Sequence, residues 1–297
     1  MTTLPRPTKC HHIQLCSEPV FVIGSFRSGT SVLANALGQH SAFWYSSSEA
    51  NFVCAMFSRL DLGDLYNRAD YWFQRQEITR EAFSAYVGSG INALFTVRSE
   101  GKRWIEKTPR NSLIAHVLAE VFPGAAFVHI LRDGRYAVHS MNHFFNAIDE
   151  QTQTKWRAMG YAPAWGIDFR TACRTWRDHV RAAMEFQRER PERCLTVRYE
   201  ELVSNPEPGF RVLTRFLGEP YEHAPANFLR SNRIQSSFPD TSEDPSPRGR
   251  SDPWEEWTPE QRRIFLEEDG PAMLEYGLIS RDEMERLEHD ASDRDLP

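Results

Sequence analysis

A single α/β domain, with a mainly parallel central sheet flanked by helices, is what this sequence predicts, and three observations lead there. The β-branched run Val20 to Ile23 passes through a glycine-containing loop into a segment with one apolar helical face. The same alternation of strand and helix returns near residues 104, 126 and 194. Strands separated by helices need crossover connections, which favour parallel pairing with both sheet faces covered. The 297 residues suffice for one large domain or two smaller ones. No internal repeat is present, and the order of the motifs favours one domain over residues 19–280, after an extension at 1–18 and before an acidic tail at 281–297.

Each element has a local reason. Val32, Leu33, Ala36 and Leu37 share one face of the first helix. Trp104-Ile105-Glu106 reads as a strand end, and Asn111 is placed to cap a helix with the stripe Leu113, Ile114, Val117, Leu118 and Val121, stopped by Pro123-Gly124. Ala126 to Leu131 reads as a buried strand, broken by Asp133-Gly134 before a helix over Tyr136 to Met141. Cys194 to Tyr199 reads as a further strand, followed by a helix facing inward through Phe210, Leu213, Phe216 and Leu217 and ending at Gly218. Thr258-Pro259-Glu260-Gln261 spells a capping box that opens one closing helix, and the acidic stretch after Arg281 reads as a solvated helix face.

Between these units, residues 50–100 and 142–190 read as helical insertions. Their dense aromatic residues belong mostly to the core by type, and also suit a partly apolar acceptor cleft. Residues 231–253, rich in Ser, Pro, Asp and Arg, read as a flap loop.

Composition removes several function classes. Net charge is −6, and of the 35 basic residues 31 are Arg, so no broad basic surface for nucleic acid is expected and any anion is bound locally. Apolar runs are too short to span a bilayer, and Met1 to Gln14 lacks the apolar core of a signal peptide, so a cytoplasmic protein without a membrane span is expected. Five cysteines, an odd number with no CxxC pair, suggest reduced thiols rather than a disulfide framework or a structural zinc site. His139 and His143 are spaced to share a helical face, but the sequence offers no third ligand beside them. Nothing in the pattern fixes an oligomeric state.

The strongest chemical signal is Gly24-Ser25-Phe26-Arg27-Ser28-Gly29-Thr30-Ser31, set between strand and helix. Small residues let backbone N–H groups approach a phosphate, the helix start adds its dipole, and the Thr30 and Ser31 hydroxyls add donors. A nucleoside-triphosphatase loop has Lys after its second Gly, where this chain has Thr30, and the charge sits instead at Arg27. Phosphoryl transfer from ATP with Mg²⁺ is thereby less favoured, and a P-loop kinase or nucleotide hydrolase stays open as the alternative. In a second cluster Arg132 leaves the end of a buried strand, with Ser140 eight residues on in the next helix. Both side chains suit one phosphate, whereas the bland reading pairs Arg132 with Asp133 at a helix start.

Together these elements resemble the sulfotransferase family that uses 3′-phosphoadenosine 5′-phosphosulfate (PAPS), over about residues 19–280. Phe26 to Ser31 is similar to the family's 5′-phosphosulfate loop, so the resemblance implies that Arg27, Ser28, Gly29, Thr30 and Ser31 hold the donor. Arg132 and Ser140 match its 3′-phosphate pair, and residues 132–141 are most similar to the tyrosylprotein and glycan-type branch. Val197 to Leu202 looks like the segment whose tyrosine, here Tyr199, contacts adenine, and Arg248 in Ser246-Pro247-Arg248-Gly249-Arg250 corresponds loosely to a late basic contact to the 3′-phosphate. Lys107 matches a lysine near the transferred group. Pro109 stands where the aryl and steroid branch has its histidine, so the base is sought in the other branch's glutamate; Glu49, 22 residues after Arg27, corresponds to it, and its bland reading is an exposed carboxylate at a helix start. The resemblance implies in-line transfer to a hydroxyl, less readily an amine, of a small-molecule, lipid or glycan acceptor, with adenosine 3′,5′-bisphosphate as product and no metal. A non-catalytic nucleotide-binding relative is the remaining alternative.

Overall fold

The structure, a computed structural model, describes residues 14–54, 70–147, 149–152, 154, 168–231 and 252–292. Five strands form one sheet: β1 (Val20–Ile23), β2 (Phe43–Tyr45), β3 (Arg103–Lys107), β4 (Ala126–Leu131) and β5 (Cys194–Arg198). Their order is β2-β3-β1-β4-β5 and every pair is parallel. The central place of β1 follows from its composition, since all four of its residues are apolar and at most 1% exposed, as a strand covered on both faces requires.

Alternation along β1 splits the core into two layers. Val20 and Val22 pack with Leu33 and Leu37 of helix α1 (Thr30–Leu37), and with Phe210 and Leu213. Phe21 and Ile23 point the other way, towards Trp104, Phe122 and Phe127. The Phe21 ring meets Trp104 edge-on at 5.6 Å and stacks on Phe127 at 5.3 Å.

The helices follow in order as α2 (Asp70–Arg75), α3 (Arg80–Ser99), α4 (Ala115–Val121), α5 (Gly134–Ala147), α6 (Phe169–Glu189), α7 (Tyr199–Ser204), α8 (Pro206–Phe216), α9 (His223–Ser231), α10 (Pro253–Glu256), α11 (Pro259–Glu268), α12 (Gly270–Glu275) and α13 (Arg281–Ser292). The expected capping box is present: Thr258 Oγ1 accepts from Gln261 N at 3.2 Å, and Gln261 Oε1 accepts from Thr258 N at 3.0 Å.

Three expectations are corrected. The short strand β2 carries no periodic signal and was not foreseen. Asn111 caps nothing: Pro109–Ile114 forms a 3₁₀ helix ahead of α4, and the Asn111 amide turns back to donate to Glu106. Leu113 is consequently rotated out of the apolar stripe and is 50% exposed. Within the stretch at 142–190, α6 joins the core, with Ala172, Cys173, Trp176, Val180, Ala183 and Phe186 buried along one face of that helix. Finally, three helices close the chain rather than one, and α13 buries Met284, Leu287 and Ala291 instead of lying solvated on the surface. In the other aromatic-rich stretch, Phe73 is buried while Tyr71, Trp72 and Tyr86 are exposed; Trp156, Tyr161 and Trp165 lie outside the described residues.

Glu268, at the end of α11, fastens this closing unit. Arg170, Arg174 and Arg177 on α6 reach its carboxylate at 2.6, 3.0 and 2.6 Å. Burial opposes its ionisation, yet the three guanidiniums hold the carboxyl well below its ordinary value.

Candidate functional site

In a parallel sheet the carboxyl ends of all strands lie on one edge, and here every predicted site residue among the described ones follows such an end. The loop at 24–31 leaves β1, Glu49 follows β2, Lys107 ends β3, Arg132 follows β4 and Tyr199 follows β5. One fold rule thus gathers residues scattered over 175 positions of the sequence.

The loop is shaped by two glycines. Gly24 has φ 154°, and a Cβ there would sit 2.8 Å from the Ile130 carbonyl oxygen; Gly29 has φ 94°, and its Cβ would lie 2.5 Å from the Tyr199 ring. Between them Arg27 takes φ 61°, a left-handed conformation uncommon for a side-chain-bearing residue and typical of ligand-binding turns. The loop is tied down from outside, because Gly24 N donates to Ser112 Oγ at 2.9 Å. Thr30 is buried as the first residue of α1, Ser31 is half-buried beside it, and no side chain caps the helix start.

The two predicted phosphate-binding clusters form one assembly. Arg27 Nε donates to Ser140 Oγ at 3.0 Å, its guanidinium lies 5.5 Å from the Phe144 ring centroid, and its carbonyl accepts from Arg132 Nη1 at 2.6 Å. The Arg132 guanidinium lies 4.5 Å over the Tyr199 ring, and Tyr199 packs against Gly29. The bland pairing of Arg132 with Asp133 is not what forms: Arg135 takes that carboxylate at 2.7 Å and Arg132 turns to the loop. Ser25 Oγ, Ser28 Oγ and Arg132 Nε are buried with no hydrogen-bond partner among the described residues. Two hydroxyls and a guanidinium N–H of this kind, beside a glycine cradle and an uncapped helix start, fit an anionic nucleotide donor.

Across the same edge lies a carboxylate cluster. Glu49 Oε1 accepts from Lys107 Nζ at 2.5 Å, and Asn51 Nδ2 stands 3.5 Å from Oε2. Lys107 is buried while the Glu49 side chain is 35% exposed. The residue ahead of Lys107 was not singled out by the sequence reading. Glu106 is fully enclosed, accepting from Thr108 Oγ1 at 2.6 Å, from Ala50 N at 3.2 Å and from the Asn111 amide. Burial pushes its carboxyl up to about 7, against those hydrogen bonds and the charge of Lys107. The phenol of Tyr45 is likewise driven well above its ordinary value, by burial and then by Glu49 and Glu106. The one sequence signal available for Glu106 is its position at a strand end beside a lysine. Arg248 and most of the expected flap at 231–253 lie outside the described residues. No helix among the described residues is long and apolar enough to cross a membrane.

Residues 19–223 match the Sulfotransferase family. Protein-tyrosine sulfotransferase 1 of Danio rerio is 24% identical, over 69% of this chain and 54% of its own length. A putative protein-tyrosine sulfotransferase of Caenorhabditis briggsae is 25% identical, over 68% of this chain and 66% of its own. The chain therefore spans between about half and two thirds of these relatives. A mouse sulfotransferase solved with PAP superposes with a TM-score of 0.48 at 16% identity, over 93% of this chain and 89% of that one. The family match extends from the start of β1 through the loop, Glu49, Lys107, Arg132, Ser140 and Tyr199, over more than half of the chain, and the protein belongs to the sulfotransferase family.

Proposed function

We propose that this chain transfers a sulfuryl group from PAPS to an acceptor hydroxyl, with Glu49 as the base. One observation carries the reading: buried, unpartnered donors at Ser25, Ser28 and Arg132 stand at the same sheet edge as the Glu49–Lys107 pair. When bound, the donor supplies an activated sulfuryl group on its 5′-phosphate. Arg27, Ser28, Gly29, Thr30 and Ser31 bind and neutralise that phosphate, as guanidinium and oriented N–H groups at a helix start do. Arg132 and Ser140 bind the 3′-phosphate, Arg248 adds a basic contact to it, and Tyr199 contacts the adenine. Lys107 holds Glu49 Oε1 and places a cation beside the transferred group, which leaves Glu49 Oε2 to take the proton of the acceptor hydroxyl.

The acceptor is the hydroxyl of a small molecule, lipid or glycan. The names of the curated relatives favour a second reading, the phenolic hydroxyl of a protein tyrosine.

A thermal-shift titration with adenosine 3′,5′-bisphosphate against ADP, each with and without Mg²⁺, tests the donor without knowledge of the acceptor. Preferential stabilisation by the 3′,5′-bisphosphate, independent of Mg²⁺, is expected. Preference for ADP with Mg²⁺ would make the chain a phosphoryl-transfer protein and withdraw the roles of Arg132 and Ser140. Transfer of labelled sulfate from PAPS to phenols, sterols, glycans and tyrosine peptides then separates the acceptor readings. No transfer to any of them, despite tight bisphosphate binding, would favour a non-catalytic relative.

A further inference from the structure

We infer that His139, His143 and Glu256 form a zinc-type divalent-cation site that clips α10 onto α5. The sequence supplies only two histidines one helical turn apart; the fold brings up the third ligand from a distant element. One ligand atom from each of the three side chains lies within 4.8 Å of the others. The imidazole centroids are 4.1 Å apart, and His139 Nε2 stands 3.5 Å from Glu256 Oε2.

Three features make this more than surface proximity. First, both backbones are anchored independently of any ion. On α5, Ala137, Val138 and Met141 are fully buried; on α10, Asp252 accepts from Trp254 N at 3.0 Å, and Trp254 is buried with Nε1 donating to Asp290 at 2.6 Å. Second, His143 Nδ1 lies 3.3 Å from the His139 carbonyl oxygen, so that nitrogen donates to the backbone and Nε2 is left as the ligand. A backbone carbonyl on the second imidazole nitrogen is the usual way a metal-binding histidine is oriented. Third, the side chains of His139 and Glu256 are 22% and 42% exposed and His143 is exposed, so an ion has a path in and water completes its shell. Ligand atoms around tetrahedral zinc lie about 3.4 Å apart, which small side-chain rotations reach from the present separations. Two imidazoles and one carboxylate favour zinc over magnesium or calcium, which prefer all-oxygen shells.

The plain alternative is a His–Glu ion pair that holds no metal. The test uses the full chain without a polyhistidine tag, stripped with chelator, and titrates zinc against a chromophoric competitor. One zinc per chain is expected, with a melting temperature that rises with zinc concentration. His143→Ala and Glu256→Gln are each expected to weaken zinc binding by about tenfold or more. Neither is expected to alter affinity for adenosine 3′,5′-bisphosphate, since neither residue is assigned to that site. Glu256→Gln keeps the size of an exposed side chain and decides the matter if His143→Ala fails to fold. Absence of saturable binding, equal preference for magnesium, or unchanged zinc affinity in the variants, which would place the ion elsewhere, each overturns the site.

Discussion

The two sides of the sheet edge solve opposite problems. On the phosphate side, around Arg27, Arg132 and Ser28, polar atoms are buried and part of their hydrogen-bonding capacity is unmet. On the acceptor side, the carboxylates of Glu49 and Glu106 and the ammonium of Lys107 are all partnered, and Asn111 Oδ1 beside Glu106 is the buried atom there left without a partner among the described residues. A buried donor without a partner costs roughly 1–3 kcal/mol, so the phosphate side is poised to gain from an anion. The acceptor side gains nothing until a substrate competes with the Glu49–Lys107 pair. On the proposed function, donor binding and acceptor binding are therefore governed by different terms, and each can be removed without the other.

The largest expected effect lies on the acceptor side. Glu49→Gln is expected to lower kcat by about 10²–10⁴, the range for loss of a positioned base, while bisphosphate affinity stays within about twofold. A variant that transfers at the wild-type rate would end the assignment.

Glu106 probes the same side through stability. Its carboxyl rises from 4.5 to about 7 on folding, so the folded state holds the proton more tightly. The contribution is fully present below about pH 4.5 and is lost as pH rises through about 7, with a magnitude on the order of 3 kcal/mol. Glu106→Gln removes the titration, and its stability is expected to depend less steeply on pH across that window. Parallel profiles for variant and wild type, in denaturant melts from pH 4.5 to 8, would place the steepness elsewhere.

On the phosphate side, Arg132→Ala is expected to weaken adenosine 3′,5′-bisphosphate by roughly 10- to 100-fold, the value of a charged hydrogen bond, with little change for adenosine 5′-phosphate. Equal losses for the two ligands, read by calorimetry, would remove Arg132 from the 3′-phosphate. An effect of similar size is assigned to Gly29→Ala. A methyl group there meets the Tyr199 ring at a left-handed φ, and about 1–3 kcal/mol of strain is expected, read as a lowered melting temperature and a weakened donor. An unchanged melting temperature would show that Tyr199 moves aside freely.

This contrast also explains what the sequence disclosed. The phosphate side was legible because glycines and an arginine at strand ends are local signals, fixed by what a backbone near an anion requires. The alternation of β-branched strands and amphipathic helices likewise gave the sheet its parallel sense. Glu106 was not read as a site residue, because its surroundings come from Ala50, Thr108 and Asn111, brought together only by the pairing of strands and a 3₁₀ turn. The partner of Arg132 could not be chosen from the sequence either, since Asp133 lies one position from Arg132 and two from Arg135, and geometry alone gave it to the more distant one. β2 was missed for a simpler reason: three residues carry no period.

Trp176 gives the protein an optical use. Its buried indole donates to the carbonyl of Arg132 at 3.2 Å and packs against Gly134, just behind the phosphate side. An indole in that position reports electric-field changes at Arg132 through its emission wavelength. A Trp176→Phe difference spectrum isolates that one chromophore from the eight tryptophans of the chain. Arrival of the donor should then be visible in real time, without a label and before any acceptor is known.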